Sequence, residues 1–219
     1  MSIAENLLKI KESLPENVTL VAVSKTKPVK DLMEAYTAGQ RIFGENKIQE
    51  MSDKWEQMPK DIEWHMIGHV QTNKVKYMAP FVQLIHGVDS IKLLEEINKQ
   101  AKKNNRIIDC LLQVYIAEEE SKFGLDPTEL NHLLTSDSFK QMQNIRIVGI
   151  MGMATFTDDQ NQIKKEFTHL KSIFDNIQKL EPKNCQLNTI SMGMSGDYPL
   201  AIECGSTMVR IGSSIFGGR

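Results

Sequence analysis

Apolar positions along this chain keep two rhythms in alternation. Ile3, Leu7, Ile10 and Leu14 recur at helical spacing behind Ser2, and Glu5, three residues after that serine, completes a capping box, so a helix opens the chain. Val18-Thr19-Leu20-Val21-Ala22-Val23-Ser24 is then continuously apolar and β-branched, the pattern of a strand buried on both faces. Pro28 stands where a first helical residue tolerates proline, Val29, Leu32, Met33 and Tyr36 form a stripe, and Gly39 can end the turn. These segments predict one βα unit.

The exchange continues to the end. Further strands are expected at 41–44, 62–69, 81–87, 107–116, 145–151, 187–190 and 208–211. Between them, helices are expected through Ile48, Met51 and Trp55, around Val75, through Ile91, Leu94, Ile97 and Ala101, and from Asp126-Pro127-Thr128-Glu129. A longer helix carries Ile163, Phe167, Leu170, Phe174 and Ile177 on one side, with Thr157 and Gln160 as its cap, and a short one runs through Leu200 and Ile202. Eight strands alternating with helices predict an α/β fold, a single (β/α)8 TIM-type barrel with an extra N-terminal helix. An open doubly wound sheet is the alternative, because element order does not itself show closure. No eighth helix is expected after the last strand, so the N-terminal helix is expected to take its place. Residues 1–219 read as one domain, without a linker, a low-complexity segment or a repeat.

Composition narrows the functional classes. At 219 residues, 41% hydrophobic, the chain is long enough to bury a real core. A formal net charge of -2 provides no field for gathering nucleic acid or anionic membrane, and neither is expected as a partner. Cys110, Cys185 and Cys204 are an odd count, far apart, which suits a reducing cytoplasm better than a disulfide framework or a zinc site. The N-terminus lacks the basic and apolar regions of a signal peptide, and no apolar stretch approaches spanning length. The acidic run Glu118-Glu119-Glu120, followed by Ser121-Lys122, reads as a solvated loop.

Candidate chemistry lies at the two ends. Ser191-Met192-Gly193-Met194-Ser195-Gly196-Asp197 and Gly205 to Ser213 fall after the seventh and eighth strands, where barrels of this kind hold phosphate. Ser191 and Ser195 offer hydroxyls, the short helix near Asp197 offers amides, Gly212 admits close backbone approach, and Ser213 adds an amide and a hydroxyl. Lys25 shares strand parity with Val21 and Val23 and is expected to point inward at the rim, where a free amine can attack an aldehyde. Lys27 has the same parity and is the rival amine. A lysine facing a phosphorylated aldehyde points to pyridoxal phosphate as cofactor. Arg210 ends the last strand as an anion clamp, a surface ion pair or a cation against the pyridine nitrogen. His65 and His69 lack the spacing and the third ligand of a metal site, so no metal is expected. Met151, Met153, Met192 and Met194 cluster near the presumed mouth as core filler or as packing for a flat ring.

Five segments in order, Val21 to Lys25, Phe43 to Asn46, Trp64 to Lys74, Ser191 to Ser195 and Met208 to Gly212, resemble the pyridoxal phosphate homeostasis proteins, also called the YggS or proline-synthase-co-transcribed family. The resemblance spans essentially the whole chain. It implies a barrel of the alanine racemase N-terminal type, fold type III of pyridoxal phosphate proteins, with the cofactor held as a Schiff base on Lys25. It further implies that Ser195, Gly212 and Ser213 hold the phosphate, that Arg210 faces the ring nitrogen, and that Asn46, His65 and Ser191 line the pocket. Ser213 stands where threonine is common in that family, and the hydroxyl is retained. The implied role is a cytoplasmic, monomeric carrier that keeps free aldehyde low and passes it on, with pyridoxal phosphate-requiring apoenzymes as possible recipients and no catalytic residue. An amino-acid racemase is the alternative. It needs a second proton-transfer group opposite Lys25, for which only Tyr36, Tyr77, Tyr115, Tyr198 and Cys204 offer themselves, and the second domain that racemases add is not expected.

Overall fold

Eight short strands pair in parallel with their sequence neighbours, and the last returns to the first. The computed structural model describes residues 2–118, 123–180 and 182–218, so part of the acidic run at 118–120 and the following Ser121 and Lys122 lie outside the described residues. The strands β1 (Thr19–Val23), β2 (Ile42–Glu45), β3 (Glu63–Met66), β4 (Leu84–Val88), β5 (Ile108–Gln113), β6 (Ile145–Met151), β7 (Cys185–Met194) and β8 (Met208–Ile211) form a closed barrel in that order. β8 lies beside β1 with Arg210 opposite Val21, which excludes the open sheet.

Around the barrel run α1 (Ile3–Ser13), α2 (Val29–Thr37), α3 (Ile48–Gln57), α4 (Val75–Met78) behind a 3-10 turn, α5 (Ile91–Lys103), α6 (Pro127–Thr135), α7 (Asp137–Gln141), α8 (Gln160–Gln178), α9 (Tyr198–Glu203) and α10 (Ser213–Phe216). α1 starts as its sequence predicts: Ser2 Oγ accepts from the Glu5 amide at 3.1 Å, and the Ser2 amide donates to the Glu5 carboxylate at 2.8 Å. Its buried Leu7 and Ile10 pack it onto the body, where it meets α2 and α10. Asn6 also donates to the Ile215 carbonyl at 3.1 Å. The N-terminal helix therefore covers the gap between the first and last βα units. A short helix, α10, does follow β8, which corrects the expectation that none would.

The alternation of side chains along each strand separates two apolar regions. Leu20, Ala22, Phe43, Trp64, Ile85, Leu112, Ile147 and Val209 face outward into the layer beneath the helices. Val21, Leu84, Leu111, Val148, Met151 and Met208 face inward and fill part of the barrel. Gly44 has the same inward parity, and glycine fits there because a Cβ would meet Val21 Cγ1 at 2.8 Å.

Several boundaries differ from the apolar pattern for identifiable reasons. Phe81 and Val82 are apolar for tertiary contacts and not as a strand: Phe81 closes a turn after α4 and stacks on Trp55 with ring centroids 4.5 Å apart, and Val82 is buried in the outer core. β3 stops at Met66, and at Gly68 a Cβ would lie 2.4 Å from the Asn46 carbonyl oxygen, so two loops touch through backbone. β7 extends to Met194, through residues expected in a loop. The cap of α8 is Asp159, which accepts from the amides of Asn161 and Gln162, while Thr157 only supports the Asp159 amide. Asp159→Ala should therefore cost about 1 kcal/mol and lower the thermal midpoint by about 2–4 °C, with Thr157→Ala costing less than half as much, as read by thermal denaturation.

Candidate functional site

The C-terminal ends of β1, β2, β7 and β8 open into a cavity of about 390 Å³, within the size range of small-molecule sites. Lys25, Asn46, Ser195, Arg210, Gly212 and Ser213 all line it. Six of the eight residues expected at the site are thus brought together, although they lie up to 188 positions apart in sequence, from Lys25 to Ser213. Lys27 lines the same cavity, but its ammonium donates to the Gly218 carbonyl at 2.9 Å. Lys25 is half-buried, and among the described residues none accepts a hydrogen bond from its ammonium. Met153 and Met194 contribute apolar wall, while Met151 and Met192 are buried elsewhere.

Opposite Lys25, the two C-terminal loops are tied together. The Gly212 amide donates to Ser195 Oγ at 3.2 Å, which leaves the serine hydrogen free to donate into the cavity. Gly212 is closely packed, with a Cβ there landing 3.1 Å from the Val23 carbonyl oxygen. Ser213 begins α10, so the helix start at the cavity is that of α10. The start of α9 serves differently: Pro199 removes an amide there, and the Asp197 carboxylate accepts from the Met194 amide at 2.5 Å. Burial raises the Asp197 carboxyl above its ordinary value, against the opposing pull of that amide and of Arg210.

Arg210 is buried at the cavity floor and held by three hydrogen bonds: Nη1 to the Ser191 carbonyl at 2.9 Å and to Ser191 Oγ at 2.6 Å, and Nη2 to the Gly152 carbonyl at 3.2 Å. Burial lowers its guanidinium to about 10, so it remains a cation at neutral pH. Its remaining N–H groups are available to a ligand acceptor.

Ser191 and His65, expected on the pocket wall, sit beneath it. Ser191 Oγ lies 3.1 Å from His86 Nδ1, and His86 Nε2 lies 3.1 Å from His65 Nδ1. Each proton in this chain finds an acceptor when Arg210 donates to Ser191, Ser191 to His86, and His86 to His65. The far end, His65, lines a separate polar cavity at the opposite mouth of the barrel with Asp109 and Arg146. A hydrogen-bonded line thus crosses the barrel interior and anchors Arg210 from below. His86 was not legible as functional, since it sits alone in an apolar strand, Leu84 to Val88, and inward parity was its only signal.

Burial holds both imidazoles neutral, His65 down to about 3 and His86 well below its ordinary value, the latter helped by His65 and Arg210. A histidine depressed in the folded state contributes stability that is whole above the unfolded value of 6.5 and is lost as pH falls below it, because the unfolded chain takes up the proton first. Between pH 7 and pH 5, His65 alone should remove about 2 kcal/mol of unfolding free energy, and His65→Asn should flatten that fall in denaturant titrations at the two pH values.

Comparison with known proteins agrees with this geometry. Residues 1–219 match the family described as alanine racemase, N-terminal domain. The chain is 39% identical to the pyridoxal phosphate homeostasis protein of Pasteurella multocida, covering all of this chain and 98% of that one, and 33% identical to the protein of that name in Escherichia coli K12, covering 99% and 97%. Among solved structures, PipY of Synechococcus elongatus with PLP bound superposes with a TM-score of 0.90 at 35% identity, covering 99% of this chain and all of PipY. The alanine racemase of E. faecalis shares the fold, with a TM-score of 0.77 at 18% identity, and 58% of its chain is covered. With its whole length matched, the chain belongs to the alanine racemase N-terminal domain family and, within it, to the pyridoxal phosphate homeostasis proteins.

Proposed function

We propose that this protein binds pyridoxal 5'-phosphate at the C-terminal mouth of its barrel, with Lys25 as the covalent attachment point, and serves to hold and release the cofactor. One observation carries the reading: a lysine amine without an acceptor, a buried guanidinium and a serine-bearing loop pair share the walls of one cavity. The PLP-bound PipY structure supports it. The residues fit the group in kind: Ser195, Gly212 and Ser213 for the phosphate, Arg210 for the ring nitrogen, Asn46 beside Lys25, and Met153 and Met194 against the ring face. When bound, the group supplies an aldehyde with which an amine condenses, releasing one water and leaving a C=N bond.

The chain's own residues favour holding over turnover. Arg210 donates and does not accept, so it discourages a proton on the ring nitrogen and with it the storage of carbanion charge in the ring. A racemase needs a second acid–base group across the ring, and among the described residues lining the cavity there is no tyrosine or cysteine. Tyr36 donates to Asp61, and Tyr198 meets Ser13 on α1. Among the described residues no helix is long and apolar enough to cross a membrane, and the three cysteines are unpaired, which supports a cytoplasmic protein. The chain reads as one barrel domain acting as a monomer, and the open mouth leaves the cofactor accessible to recipient apoenzymes.

Borohydride treatment after incubation with pyridoxal 5'-phosphate should add one reduced cofactor at Lys25 by peptide mass. Lys25→Ala should abolish that product with an unchanged circular dichroism spectrum, and a product persisting at Lys27 would transfer the role to it. Arg210→Gln should weaken retention by about tenfold or more on equilibrium dialysis, as expected for losing charge-assisted hydrogen bonds.

A further inference from the structure

The turn that carries Lys25 is conformationally unusual. Thr26, its next neighbour, has φ +65°, a left-handed conformation that a β-branched residue adopts only when its surroundings impose it. The Lys27 amide closes the turn onto the Ser24 carbonyl at 3.1 Å. Helix α3 grips the turn on both sides of Lys25. Ahead of it, Lys54 Nζ donates to the Ser24 carbonyl at 2.8 Å; behind it, the Thr26 amide donates to Glu50 Oε1 at 2.6 Å. The two grips are one unit, because Lys54 Nζ also donates to Glu50 Oε1 and to Glu45 Oε1, each at 2.7 Å, and Ser24 Oγ donates to Glu45 Oε1 at 2.6 Å.

This network lies outside the barrel, between β1, β2 and α3; Glu45, Glu50 and Lys54 do not line the cavity that Lys25 shares with Arg210, and Glu50 lines an adjoining space with Lys25 and Thr26. The Lys54 and Glu45 side chains are buried, 6% and 0% exposed, whereas Glu50 is 24% exposed and is the member that reaches the strained residue. Its carboxylate supplies the acceptor that the Thr26 amide has in this left-handed turn. An extended or right-handed Thr26 would redirect that amide and rotate the adjoining peptide on which Lys25 sits.

We propose that Glu50, oriented by Lys54 and Glu45, is a positioning residue that holds Thr26 left-handed and thereby aims the Lys25 amine into the cavity. This rests on Lys25 being the attachment point. Its removal leaves Lys54 paired with Glu45, so the fold should survive Glu50→Ala.

The test is the rate of covalent trapping with pyridoxal 5'-phosphate and borohydride, read by intact mass, alongside thermal midpoints. Glu50→Ala should slow trapping by about tenfold, the effect of releasing one strained backbone conformation. Glu50→Gln, which keeps the acceptor oxygen, should stay within about threefold of wild type. Adding Thr26→Gly to Glu50→Ala should restore most of the rate, because glycine takes positive φ without strain. Hydrogen exchange provides a check that needs no variant: the Thr26 amide should be protected in the wild-type protein. If wild type traps nothing at Lys25, the attachment reading fails and the positioning role with it. If wild type traps normally and Glu50→Ala is equally fast, the positioning role alone is overturned; so it is if neither Gln nor the added glycine recovers the rate, or if the Thr26 amide exchanges as fast as an exposed loop.

Discussion

Parallel pairing of the last strand with the first is the constraint from which everything else follows. Val21 stands opposite Arg210, so the amine-bearing turn after β1 and the serine-bearing turn after β8 are fixed as neighbours by backbone hydrogen bonds. Nothing in the loops themselves could hold such a relation across nearly the whole chain. Because the barrel is closed, there is no free edge along which these two strands could slide, and the interior residues hold the register. α1 adds to the closure from outside by bridging α2 and α10 over the seam.

The interior reconciles two demands. A barrel of eight strands must be filled, and this one is filled partly by aliphatic and thioether side chains and partly by a hydrogen-bonded line from His65 through His86 and Ser191 to Arg210. Burying a guanidinium is costly unless its donors are met, and here three hydrogen bonds to protein acceptors meet part of that need at a residue that lines the cavity. The neutral imidazoles extend the line without adding charge. Arg210 is therefore a fixed cation at the floor and not a mobile surface arginine.

A second polar network outside the barrel steadies the opposite wall. Glu45, Lys54 and Glu50 occupy the seam between strand ends and α3, where one ammonium bridges two carboxylates and, among the described residues, Glu45 Oε2 has no partner. The same helix thus packs the apolar layer through Ile48 and Met51 and grips the Lys25 turn through its polar face.

Local pattern alone determined a good deal. The order of the eight strands and of the longer helices, the helix starts at Ser2 and Asp126, and the bounds of β6 and β8 were legible, because periodicity and cap chemistry act within a few residues, whereas the short helices α7 and α10 were not. Strand parity also predicted that Lys25 would come to the mouth. Tertiary structure decided the rest: closure in place of an open sheet, His65 and Ser191 below the cavity and not on its wall, Phe81 in a stacked turn, Asp159 as the cap of α8, and Lys27 engaged with Gly218 while Lys25 has no acceptor among the described residues. Apolar spacing records that a face is buried but not against what, and the partners that settle these points lie from tens to nearly two hundred residues away, where only the closed barrel brings them within hydrogen-bonding distance.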